Sequence, residues 1–168
     1  MPRITRFLVS ALAVLLVLVG TFGVAAAEQR SPTVTPPHTN YGELEQLYRL
    51  RQSQVRSLYE MLSRDEHRAL EVDKLIAYAK SRGVDTAALE QALATYRSML
   101  RYARAAWKIA ANVLKTHAGF NDAGQVTNPD QARATLKTAE GAIYKCYRVA
   151  RYAEELLNRA LAEFHGRK

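Results

Sequence analysis

Histidine and acid pairs are the first residues of this 168-residue chain that could support chemistry. His67 and Glu71 are four residues apart, so on a helix they would share one face and could hold a metal ion. Two ligands do not complete a metal site, and no second pair lies near them in the sequence. We therefore expect a solvated helix face there, with no metal and no cofactor.

The loop Gly119–Asp130 invites comparison with a calcium-binding loop. If Gly124 is the turn glycine, Gly119 and Ala123 stand at positions where calcium needs oxygen ligands, so calcium binding is not expected. The motifs H-E-x-x-H, C-x-x-C and G-x-S-x-G do not occur in the chain. No catalytic residues are assigned, and the chain is not expected to be an enzyme.

Basic and aromatic residues form the most distinctive pattern. They recur at helical spacing in two segments, and such a surface could bind phosphates, acidic sugars or stacked bases. The candidate polyanion-binding residues are Arg97, Arg101, Arg104, Lys108, Lys115, Lys145, Arg148, Arg151, Tyr144, Tyr147 and Tyr152. The alternative interpretation is structural: arginine stems cover the edges of a core, and acids on a neighbouring helix neutralise the charge.

Apolar residues recur at alternating steps of three and four in three long segments, which predicts three amphipathic helices. The predicted helices are about 41–82, 86–117 and 129–165. Gly83 is expected to end the first helix and Asn128 to cap the third. Together the segments predict an all-α fold over residues 41–168, an up-down-up antiparallel three-helix bundle with coiled-coil-like packing.

Folding neighbouring helices about their links gives an approximate register. It places Asp65 near Arg104 and Arg51 near Asp130, so we expect these polar interruptions of the first stripe to form structural ion pairs.

The first helix overhangs the end of the second in this register, and its apolar residues there need cover. Phe120 and Val126 are the apolar loop residues available. We expect them to pack against Leu44, Leu47 or Tyr48.

The N-terminus has the pattern of an export signal. Arg3 and Arg6 precede an almost wholly apolar stretch that ends in three alanines at Ala27, so we expect residues 1–27 to be cleaved. Residues 28–40 are rich in proline and predict a flexible tether. The alternative is an uncleaved anchor, because about 20 apolar residues can span a bilayer. Both interpretations place the bundle outside the cytoplasm: secreted, periplasmic or on the outer face of the cytoplasmic membrane.

The net charge of the chain bears on the kind of partner that it could bind. Lys and Arg total 24 against 16 for Asp and Glu, a formal net charge of +8, which permits an anionic partner without requiring one.

Cys146 is the only cysteine, so an intramolecular disulfide is impossible. Its place in the apolar stripe predicts a buried small hydrophobe, with a reactive thiol or an intermolecular bridge as the alternatives.

Several short stretches carry a family resemblance. They are Gly83-Val84-Asp85-Thr86-Ala87-Ala88-Leu89-Glu90, His117-Ala118-Gly119-Phe120, Gly124, Val126-Thr127, and Gln131-Ala132-Arg133 with Leu136. Over roughly residues 44–160 the chain resembles an uncharacterised family of exported, all-helical bacterial proteins. The resemblance implies a helical fold and an exported location, and it implies no activity.

The leading hypothesis is an exported, non-enzymatic bundle that acts by surface contact with an unidentified protein or envelope component. The alternative is a polyanion-binding module for acidic polysaccharide, lipid headgroups or nucleic acid. Contact with a membrane is expected only through the N-terminal segment, if it is not cleaved. The pattern indicates no particular oligomeric state.

Overall fold

The computed structural model describes residues 41–166, and these residues form three helices. Helix α1 is Gly42–Ser81, helix α2 is Ala87–Thr116 and helix α3 is Pro129–Gly166. No strand occurs within this described part. The predicted all-α architecture with three helices is confirmed.

The predicted export signal, residues 1–27, and the predicted tether, residues 28–40, lie outside the described residues. From residue 41 to residue 166, none of the helices combines the length and the apolar character needed to cross a bilayer.

A glycine closes the turn between α1 and α2. Gly83 has a φ of +73°, the left-handed conformation that glycine adopts without steric strain. Its N–H donates to the carbonyl of Lys80 at 2.9 Å, and the N–H of Val84 donates to the carbonyl of Ala79 at 3.1 Å. These two bonds satisfy carbonyls that the helix end would leave free, and α1 therefore ends just before the glycine.

The core is built from one face of each helix. Leu62, Tyr96 and Leu157, one from each helix, are all 0% exposed. Buried alanines fill much of the space beside them: Ala103, Ala106, Ala110, Ala139, Ala142, Ala150 and Ala153. Small side chains allow helix axes to approach closely, and α2 and α3 share the most extensive interface. Cys146 is buried in this core, as predicted.

Ion pairs between α1 and α2 show that these two helices run in opposite directions. The pairs are Lys80–Glu90, Asp73–Arg97 and Glu66–Arg104. As the residue number falls along α1, the number of its partner on α2 rises, which is the antiparallel arrangement.

Helices α1 and α3 run in the same direction. The Arg51 guanidinium donates to Glu140 across a sequence separation of 89, and the Arg68 guanidinium donates to Asn158 across a separation of 90. A constant separation along two helices is possible only when they are parallel.

The loop between α2 and α3 packs against the first turns of α1. The Phe120 ring stacks on Tyr48 with 4.2 Å between the ring centroids. The Tyr48 hydroxyl donates to the carbonyl of Leu114 at 2.9 Å, and the N–H of Val126 donates to Oε1 of Glu45 at 3.1 Å. The predicted cover of the α1 overhang by Phe120 and Val126 is confirmed, since both pack in one apolar cluster with Tyr48.

The register of α3 differs from the sequence estimate, which placed the fold-back in the middle of the loop. The Thr135 hydroxyl donates to the carbonyl of Ala118 at 2.8 Å, and Gly119 lies directly against Ala132. Helix α3 therefore begins beside the end of α2, and residues 120–128 form a compact loop that belongs to neither helix. The partner of an α2 residue lies about two helical turns later on α3 than estimated.

This shift changes one predicted ion pair. Arg51 contacts Glu140 with 2.6 Å between guanidinium nitrogen and carboxylate oxygen, instead of Asp130. Asp130 pairs within its own helix, with Arg133 at 3.0 Å. The predicted Arg51–Asp130 pair is therefore not the one in the structure.

We predict that Gly119→Ala strongly destabilises the bundle. Gly119 has a φ of +87°, and a Cβ atom there would lie 2.2 Å from the main-chain nitrogen of Ala132. Left-handed strain and overpacking together should lower the free energy of unfolding by about 2–5 kcal/mol, measured by urea denaturation.

Gly83→Ala is the matched control. Gly83 also has a positive φ, +73°, but nothing lies within 4 Å of a Cβ atom there. It should lose only about 1–2 kcal/mol, the strain of the left-handed conformation. Equal losses in the two variants would contradict the assigned contact between Gly119 and α3.

Candidate functional site

The histidine and acid pair forms an exposed charge cluster. The Nε2 atom of His67 lies 3.6 Å from Oε1 of Glu71, and both side chains are more than half exposed. Lys74 donates to the same carboxylate at 3.0 Å. Within residues 41–166, no group of three or more His, Cys, Asp or Glu residues is placed to hold a metal ion.

Two of the predicted basic residues on α2 bind α1. The Arg97 guanidinium pairs with Asp73, and the Arg104 guanidinium pairs with Glu66 at 2.7 Å. The other basic residues of the predicted α2 stripe have no carboxylate within 4 Å in the described part of the chain: Arg101, Lys108 and Lys115. Part of the predicted polyanion surface is thus engaged in holding the bundle together.

Two of the predicted basic residues of α3 border a groove between α2 and α3. Lys145, Arg148, Tyr144, Tyr152 and Met99 line this α2–α3 groove, which has a volume of about 370 Å³. The Arg148 guanidinium lies 5.5 Å from the centroid of the Tyr144 ring. Neither Lys145 nor Arg148 has an ion-pair partner among residues 41–166.

The predicted polyanion surface is therefore divided, not continuous. Arg97, Arg101 and Arg104 line a separate groove of about 330 Å³ between α1 and α2. Arg151 lies 3.9 Å from a carboxylate oxygen one turn further along α3. Tyr147 lines a third groove, between α1 and α3.

That third groove, the α1–α3 groove, is the largest of these, with a volume of about 730 Å³. Its apolar lining comes from Leu58 and Met61 on α1 and from Ile143 on α3. Tyr144 and Tyr147 stand along its α3 side, 61% and 49% exposed. Apolar surface and half-exposed aromatic rings make this groove the best-formed candidate site.

Small residues keep the α1–α3 groove open. Ser53 and Ser57 line its α1 side, and Gly141 lines its α3 side. A Cβ atom at Gly141 would have no atom within 4 Å, so the packing of this chain does not require glycine there. Glycine inside a helix is less favourable than alanine by about 0.5–1 kcal/mol.

The two arginines of the α1–α3 groove differ in whether they have an ion-pair partner. Arg51 donates to Gln54 at 2.8 Å and to Glu140 at 2.6 Å, and its side chain is only 17% exposed. Arg64 also lines the groove, is exposed, and has no carboxylate within 4 Å in the described residues. The groove therefore has one neutralised charge pair and one positive charge without an ion-pair partner within 4 Å in the described residues.

The predicted pair between Asp65 and Arg104 is replaced by a pair with the neighbouring residue. Arg104 binds Glu66, because a step of one residue turns a helical side chain by about 100° and points Glu66 toward α2. Asp65 lies deeper, where the Tyr96 hydroxyl donates to its main-chain carbonyl at 3.2 Å. Asp65 is thus a half-buried carboxyl group without its predicted partner.

The surroundings of Asp65 favour its neutral form. Burial is the main cause that raises the pKa of the Asp65 carboxyl above its ordinary value, and the negative charge of Glu154 adds to it. The nearby Tyr96 hydroxyl and the charges of Arg68 and Arg64 act in the opposite direction without cancelling the effect.

The chain has no match among protein-family models, curated proteins or solved structures. The resemblance to exported helical proteins therefore stays a prediction, and the function is argued from geometry.

Sequence reasoning missed the α1–α3 groove. The signal that could have found it is Gly141, a glycine in the middle of a predicted helix where no turn is needed.

We predict that Asp65→Asn stabilises the bundle at pH 7. An acid whose pKa is raised by folding binds its proton more tightly in the folded state, so the native carboxylate is unfavourable at neutral pH. The advantage of the variant should shrink as the pH falls through the raised folded pKa. Urea denaturation of both proteins between pH 7 and pH 4 measures this.

Glu71→Gln is a control of opposite sign. A hydrogen bond from Lys74 lowers the pKa of the exposed Glu71 carboxyl, so its contribution to stability is present at neutral pH and is lost on acidification. This variant should be slightly less stable than the native protein at pH 7 and equal to it in acid. Parallel pH profiles for the two variants would contradict the assignment at Asp65.

Proposed function

We propose that the chain is an exported, non-enzymatic helical bundle that acts by surface contact with a protein or another envelope component. We assign the contact to the α1–α3 groove. The observation that carries this proposal is the groove itself, about 730 Å³ of largely apolar space between two helices. Apolar surface with a polar rim is typical of interaction sites.

The chemistry of the groove favours binding over catalysis. Its carboxylate, Glu140, is held by Arg51 at 2.6 Å, which opposes a role in proton transfer. The other polar side chains along the groove include the hydroxyls of Ser53 and Ser57 and the amide of Gln54. Such neutral groups suit hydrogen bonding to a partner, and no adjacent base is placed to activate a hydroxyl among the groove residues.

Export and the up-down-up arrangement of the helices are part of the same proposal. The basic, apolar and small-residue pattern of residues 1–27 supports export, as does the family resemblance. The antiparallel pairing of α1 with α2 and the parallel pairing of α1 with α3 support the up-down-up bundle, and the apolar stripes support coiled-coil-like packing.

A photo-crosslinking residue in place of Ser57 tests the contact in cells that produce the full chain. Ser57 lines the groove and is exposed, so irradiation should give a specific adduct with an envelope component. The adduct should be found in the envelope fraction, since the bundle is expected outside the cytoplasm.

The same crosslinker at Ala105 is the control, because Ala105 is exposed on α2 and does not line the groove. The two positions should give different adducts. If they give the same products, or if Ser57 gives none, the groove is not the contact surface. An adduct confined to the cytoplasm would contradict export.

The second candidate function is polyanion binding, now restricted to the α2–α3 groove. The observation that favours it is the pair Lys145 and Arg148, which lacks carboxylate partners in the described residues and lies beside Tyr144 and Tyr152. Cations beside aromatic rings suit phosphate or sulfate groups attached to flat rings or sugars. This surface is separate from the proposed contact groove, apart from the shared Tyr144.

We predict that Lys145→Glu with Arg148→Glu weakens binding to DNA or acidic polysaccharide by at least about tenfold at low salt. Binding by the native chain should also weaken steeply as salt is added, because bound counterions are released from the polymer. Fluorescence anisotropy with a labelled oligonucleotide measures both effects.

Arg49→Glu with Arg56→Glu is the matched control. It makes the same change in net charge on α1, where both arginines are exposed and unpaired among residues 41–166. Binding that is insensitive to salt, or an equal loss in the control, would exclude the α2–α3 groove as the polyanion site.

A further inference from the structure

We infer that the occupant of the α1–α3 groove is an acidic amphipathic helix from a partner protein, about 14 residues long. This inference rests on the proposed contact function and names the partner's chemistry. The groove extends from Arg51 to Arg64, and at 1.5 Å per residue this distance is roughly 20 Å, the length of such a helix.

The walls of the groove favour a helix over an extended peptide. Both walls are α-helices, α1 and α3, whose backbone groups are already paired internally. They offer no strand edge that could bond an extended chain. An extended peptide would have to rely on side chains such as Ser53, Ser57 and Gln54, while a helix satisfies its own backbone.

The small residues allow close approach by a third helix. Gly141 presents bare backbone to open space, and Ser53 and Ser57 present short side chains on the opposite wall. Alanine at position 141 would be tolerated by this chain's own packing and would favour the helix. Glycine at position 141 therefore leaves space that this chain's own side chains do not fill. A docked helix would occupy that space.

The lining matches the apolar stripe of an amphipathic helix. Leu58 and Ile143 form a buried floor, 7% and 9% exposed, and Met61 is half-buried beside them. Methionine adapts its shape to a packed neighbour. Tyr144 and Tyr147 would cover the edges of a docked helix, and tyrosine is among the residues that dominate binding energy.

Charge complementarity selects an acidic partner. The charged residues of the groove are Arg51, Arg64 and Glu140, and Arg51 and Glu140 neutralise each other. Arg64 has no carboxylate within 4 Å in the described residues. The whole chain carries a formal net charge of +8, or +6 without Arg3 and Arg6 of the expected export signal, so net charge opposes the approach of a second copy. An acidic helix from another protein is the occupant that this charge favours.

Designed peptides test the occupant directly. Three synthetic 14-residue helical peptides share one leucine stripe and carry glutamate, glutamine or lysine on the polar face. Binding to the whole chain is measured by isothermal titration calorimetry, and helix content by circular dichroism. The glutamate peptide should bind at least about tenfold more tightly than the lysine peptide and gain helix on binding.

Gly141→Leu should abolish this binding by filling the groove. The variant should still fold, because leucine is a better helix former than glycine, a Cβ atom at position 141 has no neighbour within 4 Å, and that position lines the open groove. Ala105→Leu adds an exposed leucine on α2, outside the groove, and should bind like the native chain. Binding that survives in Gly141→Leu would overturn the inference.

Arg64→Glu should reverse the preference between the glutamate and lysine peptides. Arg56→Glu makes the same charge change on the same helix at an exposed position outside the groove lining, and should preserve the preference. An unchanged preference in Arg64→Glu would show that charge in the groove does not select the partner.

Other occupants give distinct results. Tight binding of a peptide with the sequence of residues 28–40 would assign the groove to this chain's own segment. A native dimer that Gly141→Leu converts to a monomer would assign it to a second copy. Either result overturns the acidic-helix inference. A groove-specific crosslink at Ser57 without any helical-peptide binding would leave the contact function standing and reject this occupant, while loss of both results would reject both proposals.

Discussion

The contact between Gly119 and Ala132 is the constraint on which the rest of the bundle depends. Only glycine fits at position 119, because a Cβ atom there would lie 2.2 Å from the main-chain nitrogen of Ala132. The contact starts α3 beside the last turn of α2, and this sets the position of α3 along α1. With α3 so placed, Glu140 reaches Arg51 and Gly141 falls in the α1–α3 groove. The close approach at Gly119 thereby determines which α3 residues border α1.

The α1–α3 groove also reflects a difference in how the pairs of helices contact each other. Two side chains of α2 donate hydrogen bonds to main-chain carbonyls of α1. The Trp107 indole donates to the carbonyl of Val55 at 2.9 Å, and the Tyr96 hydroxyl donates to the carbonyl of Asp65. Helices α2 and α3 instead meet through closely packed alanines. Helices α1 and α3 also touch, but an open groove lies between them, and its lining includes Ser53, Ser57 and Gly141.

The sequence predicts the helices well because each needs only an unbroken apolar stripe. The packing of Phe120 on Tyr48 was also predictable, since the exposed end of α1 requires cover. The register of α3 was wrong by about two turns, because the close approach of Gly119 depends on three-dimensional contact and leaves no periodic signal. The groove was missed for a related reason. Small residues such as Ser57 and Gly141 line its walls, whereas the spacing of apolar residues shows only where large side chains lie.

Burial of Cys146 has a consequence for the chemical durability of the protein. The side chain is 0% exposed, and desolvation raises the pKa of its thiol to about 11. At pH 7 roughly one molecule in ten thousand then carries the thiolate, which is the form that attacks disulfides and reacts with oxidants. Sulfur exchange by the folded protein should therefore be slow even in oxidising surroundings. Covalent dimers linked through this sulfur atom would therefore indicate that the protein had unfolded at least locally.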